Sequence, residues 1–181
     1  MTSWIAETLW DLLGRRPRPA ARKPVVRVNK PRIAKINAPS NNGHARQTMQ
    51  QKYDAIVVEM KSTYNVNVRK WRKSSSGVAW EIRYRDGRTR KCIESPYPRG
   101  PMSAAIFLHE IGHHAIGLGI HKPRCLEEYH VWVWALNTMR ERGLNVTPAV
   151  EKRMEQSMKY AVRKAKRRGI RAIPPELVRY T

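Results

Sequence analysis

Acidic residues are scarce in this chain. Its 181 residues hold 14 Asp and Glu against 36 Lys and Arg, a net charge of +22 at neutral pH. A surplus of that size favours acidic partners, namely nucleic acid, an anionic membrane or an acidic protein surface. Cysteine is nearly missing too. Cys92 and Cys125 form no Cys-x-x-Cys pair and suggest no disulfide framework, and a reducing cytoplasm is the simplest compartment. No run approaches the roughly 18 consecutive apolar residues of a membrane span. The segment from Met1 to Leu13 lacks a basic leader and contains Glu7 and Asp11, which makes it a poor secretory signal. Internal repeats and a helix-turn-helix are not visible either. What remains is a soluble chain long enough for one domain with a real core, plus tails.

Read in order, residues 3–13 form a short amphipathic pattern that Ser3 could cap and Gly14 ends. Docking on the body is the plain expectation for it; a partner- or membrane-surface helix is the sharper one. Residues 15–46 are rich in Pro, Arg and Lys and read as a disordered basic linker. A domain is expected over 47–143 and a basic C-terminal helix and tail, packed on it, over 144–181. The first helix of the domain follows from Met49, Tyr53, Ile56, Val57 and Met60 at helical spacing. Alternation predicts strands over 66–71 and 78–84, separated by a Ser74–Gly77 turn, and a third over 89–94 after Asp86-Gly87. A small antiparallel sheet of about three strands is therefore expected, which makes the fold class α+β. Helices follow over about 103–118, with Ser103 as N-cap, over 124–142, and from Pro148 to about Arg168 with Thr147 as N-cap. The last should turn Val150, Met154, Met158, Ala161 and Ala165 inward.

The chemistry sits in the third of these helices. His109-Glu110-Ile111-Gly112-His113 reads His-Glu-x-x-His in an apolar run whose only charge is Glu110. Residues four apart share a helix face, so His109 and His113 can offer imidazole nitrogens to one ion. Glu110 lies one position round, placed to handle a water rather than to ligate. This is the arrangement of a zinc peptidase, with a third ligand from elsewhere and an open fourth position. A five-residue pattern with three fixed positions also arises by accident. The apolar setting and an available third ligand favour a metal site here.

Candidates for the third ligand are Glu127, Glu128, His121, His130, His114 and Cys125. Paired glutamates opening an apolar, Trp-rich helix would be stranded without a cation. Adjacent helical residues diverge by about 100°, so one of the two is expected to face the ion. Glu128 shares its stripe with Val131, Trp132 and Ala135 and is the preferred ligand, with Glu127 next. The other glutamate would be an ordinary acid at a helix N-terminus or an acceptor for a ligand imidazole N–H. His121, eight residues past His113 in a Gly-Pro loop, is a weaker candidate. His114 points to another face and reads as structural.

With His-Glu-Ile-Gly-His followed by Glu128-Tyr129-His130-Val131-Trp132-Val133-Trp134-Ala135, the chain resembles the ImmA/IrrE-like metallopeptidases, and more broadly a gluzincin, over roughly residues 48–140. Glu128 and Ala135 keep their places in the second signature and Trp134 stands for its aromatic, whereas Val131-Trp132 replace its Ala-Asn pair. The resemblance implies a minimal zincin-like domain that cleaves an intracellular protein substrate, often a transcriptional regulator of a mobile element. Zn²⁺ would be held by His109, His113 and Glu128, with Glu110 as the general base. The strand over 89–94 is expected to pair with extended substrate, and Tyr97, Arg99 and Tyr129 are the nearby candidates for stabilising the oxyanion. The alternative class is a nucleic-acid-associated binding protein with a structural or vestigial zinc site. Of the +22 charge, +16 lies outside residues 48–137, a distribution that suits an enzyme with basic recruiting arms.

Overall fold

A computed structural model of the chain describes residues 47–181. The segments expected over 1–14 and 15–46 lie outside the described residues. The order of elements is α1 (Met49–Thr63), β1 (Val66–Arg72), β2 (Val78–Arg83), β3 (Thr89–Pro96), α2 (Pro101–Ile116), α3 (Arg124–Glu141), α4 (Pro148–Arg167) and a 3-10 helix (Pro175–Tyr180). The class is α+β, a three-stranded sheet packed with helices.

Helix α1 begins with a reciprocal cap. Thr48 Oγ1 accepts the Gln51 N–H at 3.2 Å, and the Gln51 side chain accepts the Thr48 N–H at 2.7 Å. Its buried face is Tyr53, Ile56, Val57 and Met60, as the spacing predicts. Asn65, at φ 51°, turns the chain into β1 in the left-handed region that asparagine tolerates better than most residues.

The sheet differs from expectation in its topology. The order is β1-β3-β2, with β3 in the centre, antiparallel to β2 but parallel to β1. Ser74–Gly77 is therefore no hairpin turn. It belongs to a link that carries the chain across the end of β3, over two strand spacings or roughly 10 Å, well within the reach of five extended residues. The link is held from within: Arg72 donates to Ser76 Oγ at 3.1 Å, and the Ser74 and Ser76 hydroxyls are 2.8 Å apart. Among the described residues the hairpin is β2–β3, closed by a turn at Tyr84–Arg88 in which Gly87 takes φ 82° and Asp86 accepts the Arg88 N–H.

Helix α2 packs on the inner face of the sheet, mainly on β3, and is buried from Ala104 to His114. Its cap lies three residues before the expected Ser103. Pro101 takes the first helical position, Gly100 is the cap, and Ser103 Oγ accepts the N–H groups of Arg99 and Gly100 at 2.9 and 3.1 Å. Helices α3 and α4 close the other side. Val150, Met154, Met158, Ala161 and Ala165 of α4 enter the same apolar core as α1, the sheet and α2, so the C-terminal helix completes this domain.

Candidate metal centre

The site lies where α2 runs alongside α3. The two helices approach closely because Gly112 has no side chain: a Cβ there would sit 3.0 Å from the Trp134 ring and 3.1 Å from Val131 Cγ1. This contact brings the first turn of α3 beside His109 and His113. His109 Nε2, His113 and Glu128 Oε2 converge, with one donor atom from each within 4.8 Å of the others. His109 Nε2 is 3.2 Å from Glu128 Oε2, and His113 Nε2 is 3.8 Å from the same oxygen. The imidazoles stand nearly perpendicular, with centroids 4.9 Å apart, and the His109 ring is braced by Trp132 at 4.6 Å.

Two observations test whether these residues suit a cation. His113 Nε2 is buried and makes no hydrogen bond among the described residues, although its other nitrogen is bonded. A buried lone pair of this kind needs a partner, and a cation held between His109, His113 and Glu128 would supply one. The protonation states also fit. Burial, the largest influence, pushes His109 down to about 4, with the Glu128 bond opposing, so its ring is neutral at neutral pH. Burial alone would raise Glu128, but its neighbours His113, His109 and Arg124 outweigh it and hold the carboxyl below its usual range. Neutral imidazole and ionised carboxylate are the forms a metal requires.

Glu127 does not ligate, yet it belongs to the site. It is wholly buried, and its Oε1 lies 3.0 Å from His113 Nδ1 while Oε2 accepts the Gly119 N–H at 2.7 Å. A carboxylate on the far nitrogen of a ligand imidazole fixes the ring's tautomer and raises its basicity. Burial works against its ionisation, but His113, Arg124 and Gly119 together keep it below the ordinary carboxylate range. Arg124 spans both acids, 2.9 Å from Glu127 and 3.0 Å from Glu128. Of the two adjacent glutamates, Glu128 joins the three-donor group, while Glu127 turns inward to His113 rather than outward to solvent.

His114 stands outside the site, its Nε2–H donating to the Cys92 carbonyl at 3.0 Å. His121 and His130 stack on one another with centroids 4.2 Å apart and do not join the three donors. Cys125 is buried and likewise absent from the group. Tyr97 is engaged elsewhere, its hydroxyl donating to Asp54 at 2.7 Å.

Glu110 is fully buried, and its carboxyl group presses against the backbone of Gly77. Sequence reasoning gave Gly77 only a turn role, because its neighbour lies 33 residues away across the sheet. Any Cβ at this position would overlap the Glu110 carboxylate. We expect Gly77→Ala to displace that carboxylate while leaving the three donors in place. On the peptidase expectation drawn from the motif, zinc stoichiometry measured by elemental analysis should match that of the parent protein, and hydrolysis of a protein substrate should fall at least tenfold. Undiminished hydrolysis would show that the contact is immaterial.

The link that presents Gly77 is pinned from α4, where Arg153 Nη2 donates to the Ser75 carbonyl at 3.1 Å. Burial lowers that guanidinium to about 10. The strand that enters from Gly77 is β2, at one edge of the sheet. Strand β3, expected to pair with substrate, is bonded on both sides and has no free edge over residues 91–94. An extended peptide beside the site would meet β2 instead.

No protein-family model, no curated protein and no solved structure matches the chain.

Proposed function

We propose that the chain is a zinc-dependent metalloendopeptidase of the His-Glu-x-x-His type, similar to the ImmA/IrrE-like enzymes, acting on an intracellular protein substrate in the cytoplasm. One observation carries the reading: His109, His113 and Glu128 bring three donors together at the point where α2 also buries Glu110. Glu127 on the outer nitrogen of His113 adds the supporting bond that such ligands need. The donor set of two imidazoles and one carboxylate suits zinc and leaves a coordination position for water and substrate.

When bound, zinc would supply Lewis acidity to water and to the scissile carbonyl. Glu110 accepts the proton of the attacking water and passes it to the departing amine, work that suits a carboxylate buried on the same helix as the two imidazole donors. Glu128 and Arg124 set the charge balance, and the edge of β2 aligns the peptide by main-chain pairing. Among the described residues no helix is long and apolar enough to cross a membrane.

The test is the metal content of the full chain purified without added metal, followed by incubation with an unfolded protein substrate. About one zinc per chain and chelator-sensitive cleavage are expected. Failure to retain zinc after it has been offered and the excess removed would sink the proposal.

A further inference from the structure

One concentration of positive charge on the described residues lies at the end of α4. After Lys159, which pairs with Glu155, come Arg163, Lys164, Lys166, Arg167, Arg168 and Arg171, with no acidic residue among them. None of these six takes part in an ion pair with a described carboxylate. All but Lys164 are exposed. Cations in a last helical turn are favoured by the helix dipole. Here Arg163 faces Lys166 and Arg167, and Lys164 faces Arg167 and Arg168, at the spacings where like charges repel. The set is unfavourable in isolation and would be relieved by a polyanion.

The cluster is also held rigidly. Gly169, at φ 88°, reverses the chain, the Arg168 and Ile170 N–H groups return to the Ala165 carbonyl at 3.0 and 3.1 Å, and Ile170 and Ile173 pack against the core. From Arg163 to Arg168 the cations spread over about 200° of the helix circumference. The opposite face is spent: Met158, Ala161, Val162 and Ala165 are buried in the domain, so no apolar stripe is left to enter a membrane. Residues 163–171 hold no aromatic ring for stacking single-stranded bases and no Asn or Gln for reading base edges, and Tyr160, one turn earlier on the same face, is half-buried. What it fits is regular phosphate on both sides of a groove that can admit a helix, which the major groove of B-form DNA is and the deep, narrow major groove of A-form RNA is not.

We propose that the end of α4, from Arg163 to Arg171, is a docking surface for the phosphate backbone of duplex DNA, bound without reading base sequence. The proposal does not depend on the metal or on cleavage, and it holds equally for Glu110→Gln protein.

The experiment compares three full-length proteins: the parent, one with Arg163, Lys166, Arg167 and Arg168 replaced by Gln, and a control with the exposed Lys70, Arg83, Arg85 and Arg90 replaced by Gln. Binding to a labelled duplex of arbitrary sequence is followed by anisotropy as salt is raised, with circular dichroism confirming the fold. Each phosphate contact contributes about 0.9 to the slope of log affinity against log salt. The α4 variant should therefore lose about 3 to 4 from the slope and bind at least tenfold more weakly at low salt, with the control close to the parent. An equal loss in both variants, an unchanged slope, or preference for single strands or anionic phosphatidylserine vesicles over duplex would overturn the assignment.

Discussion

Glu110→Gln should leave one zinc per chain and reduce hydrolysis of a protein substrate by about 10² to 10⁴, the usual worth of a general acid–base group. The substitution keeps the shape of the side chain, so the contact with Gly77 and the burial within α2 persist. The three donors lie on His109, His113 and Glu128 and are untouched. Only the capacity to take and return a proton is lost. Metal content and turnover must therefore separate in this variant, whereas His113→Ala should lose both. If Glu110→Gln retains full activity with metal bound, Glu110 is a buried structural acid and the proposed chemistry is wrong.

The grouping of His109 with His113 was legible in the sequence because it is local. His109 and His113 are one helical turn apart, and no tertiary knowledge is needed to see that their side chains meet. The choice of Glu128 over Glu127 also came from one helix, through its shared face with Val131, Trp132 and Ala135, all of which are buried. What escaped was every relation set by distant segments. The β1–β3 pairing is parallel and joins residues about 25 apart, and nothing in the alternation of Val66–Trp71 distinguishes it from a hairpin. The burial of Glu127 depends on the Gly117–Pro123 loop folding back so that the Gly119 N–H reaches it. The contact of Gly77 with Glu110 depends on the link crossing over β3, and with it went the assignment of β3 as the strand that meets substrate.

The two glutamates give the second large effect, and they should fail differently. Glu128→Ala removes a donor and leaves two imidazoles, so zinc should fall well below one per chain after gel filtration. Glu127→Gln removes no donor. As an anion, Glu127 accepts from His113 Nδ1–H, from Arg124 and from the Gly119 N–H. A glutamine amide has one accepting oxygen, and if that stays with Gly119 its NH₂ group faces both Arg124 and His113 Nδ1. The imidazole then accepts at Nδ1 and carries its proton on Nε2, the nitrogen needed for the metal. Binding must expel that proton, and without a carboxylate behind it the ring is a weaker base. The expected cost is about 10- to 100-fold in zinc affinity, or roughly 1.4 to 2.8 kcal/mol. A competition titration against a chromophoric chelator resolves both variants on one scale. Loss of zinc in Glu127→Gln with near-parental affinity in Glu128→Ala would reverse the roles of the two acids, and equal, slight losses in both would mean that neither holds the ion.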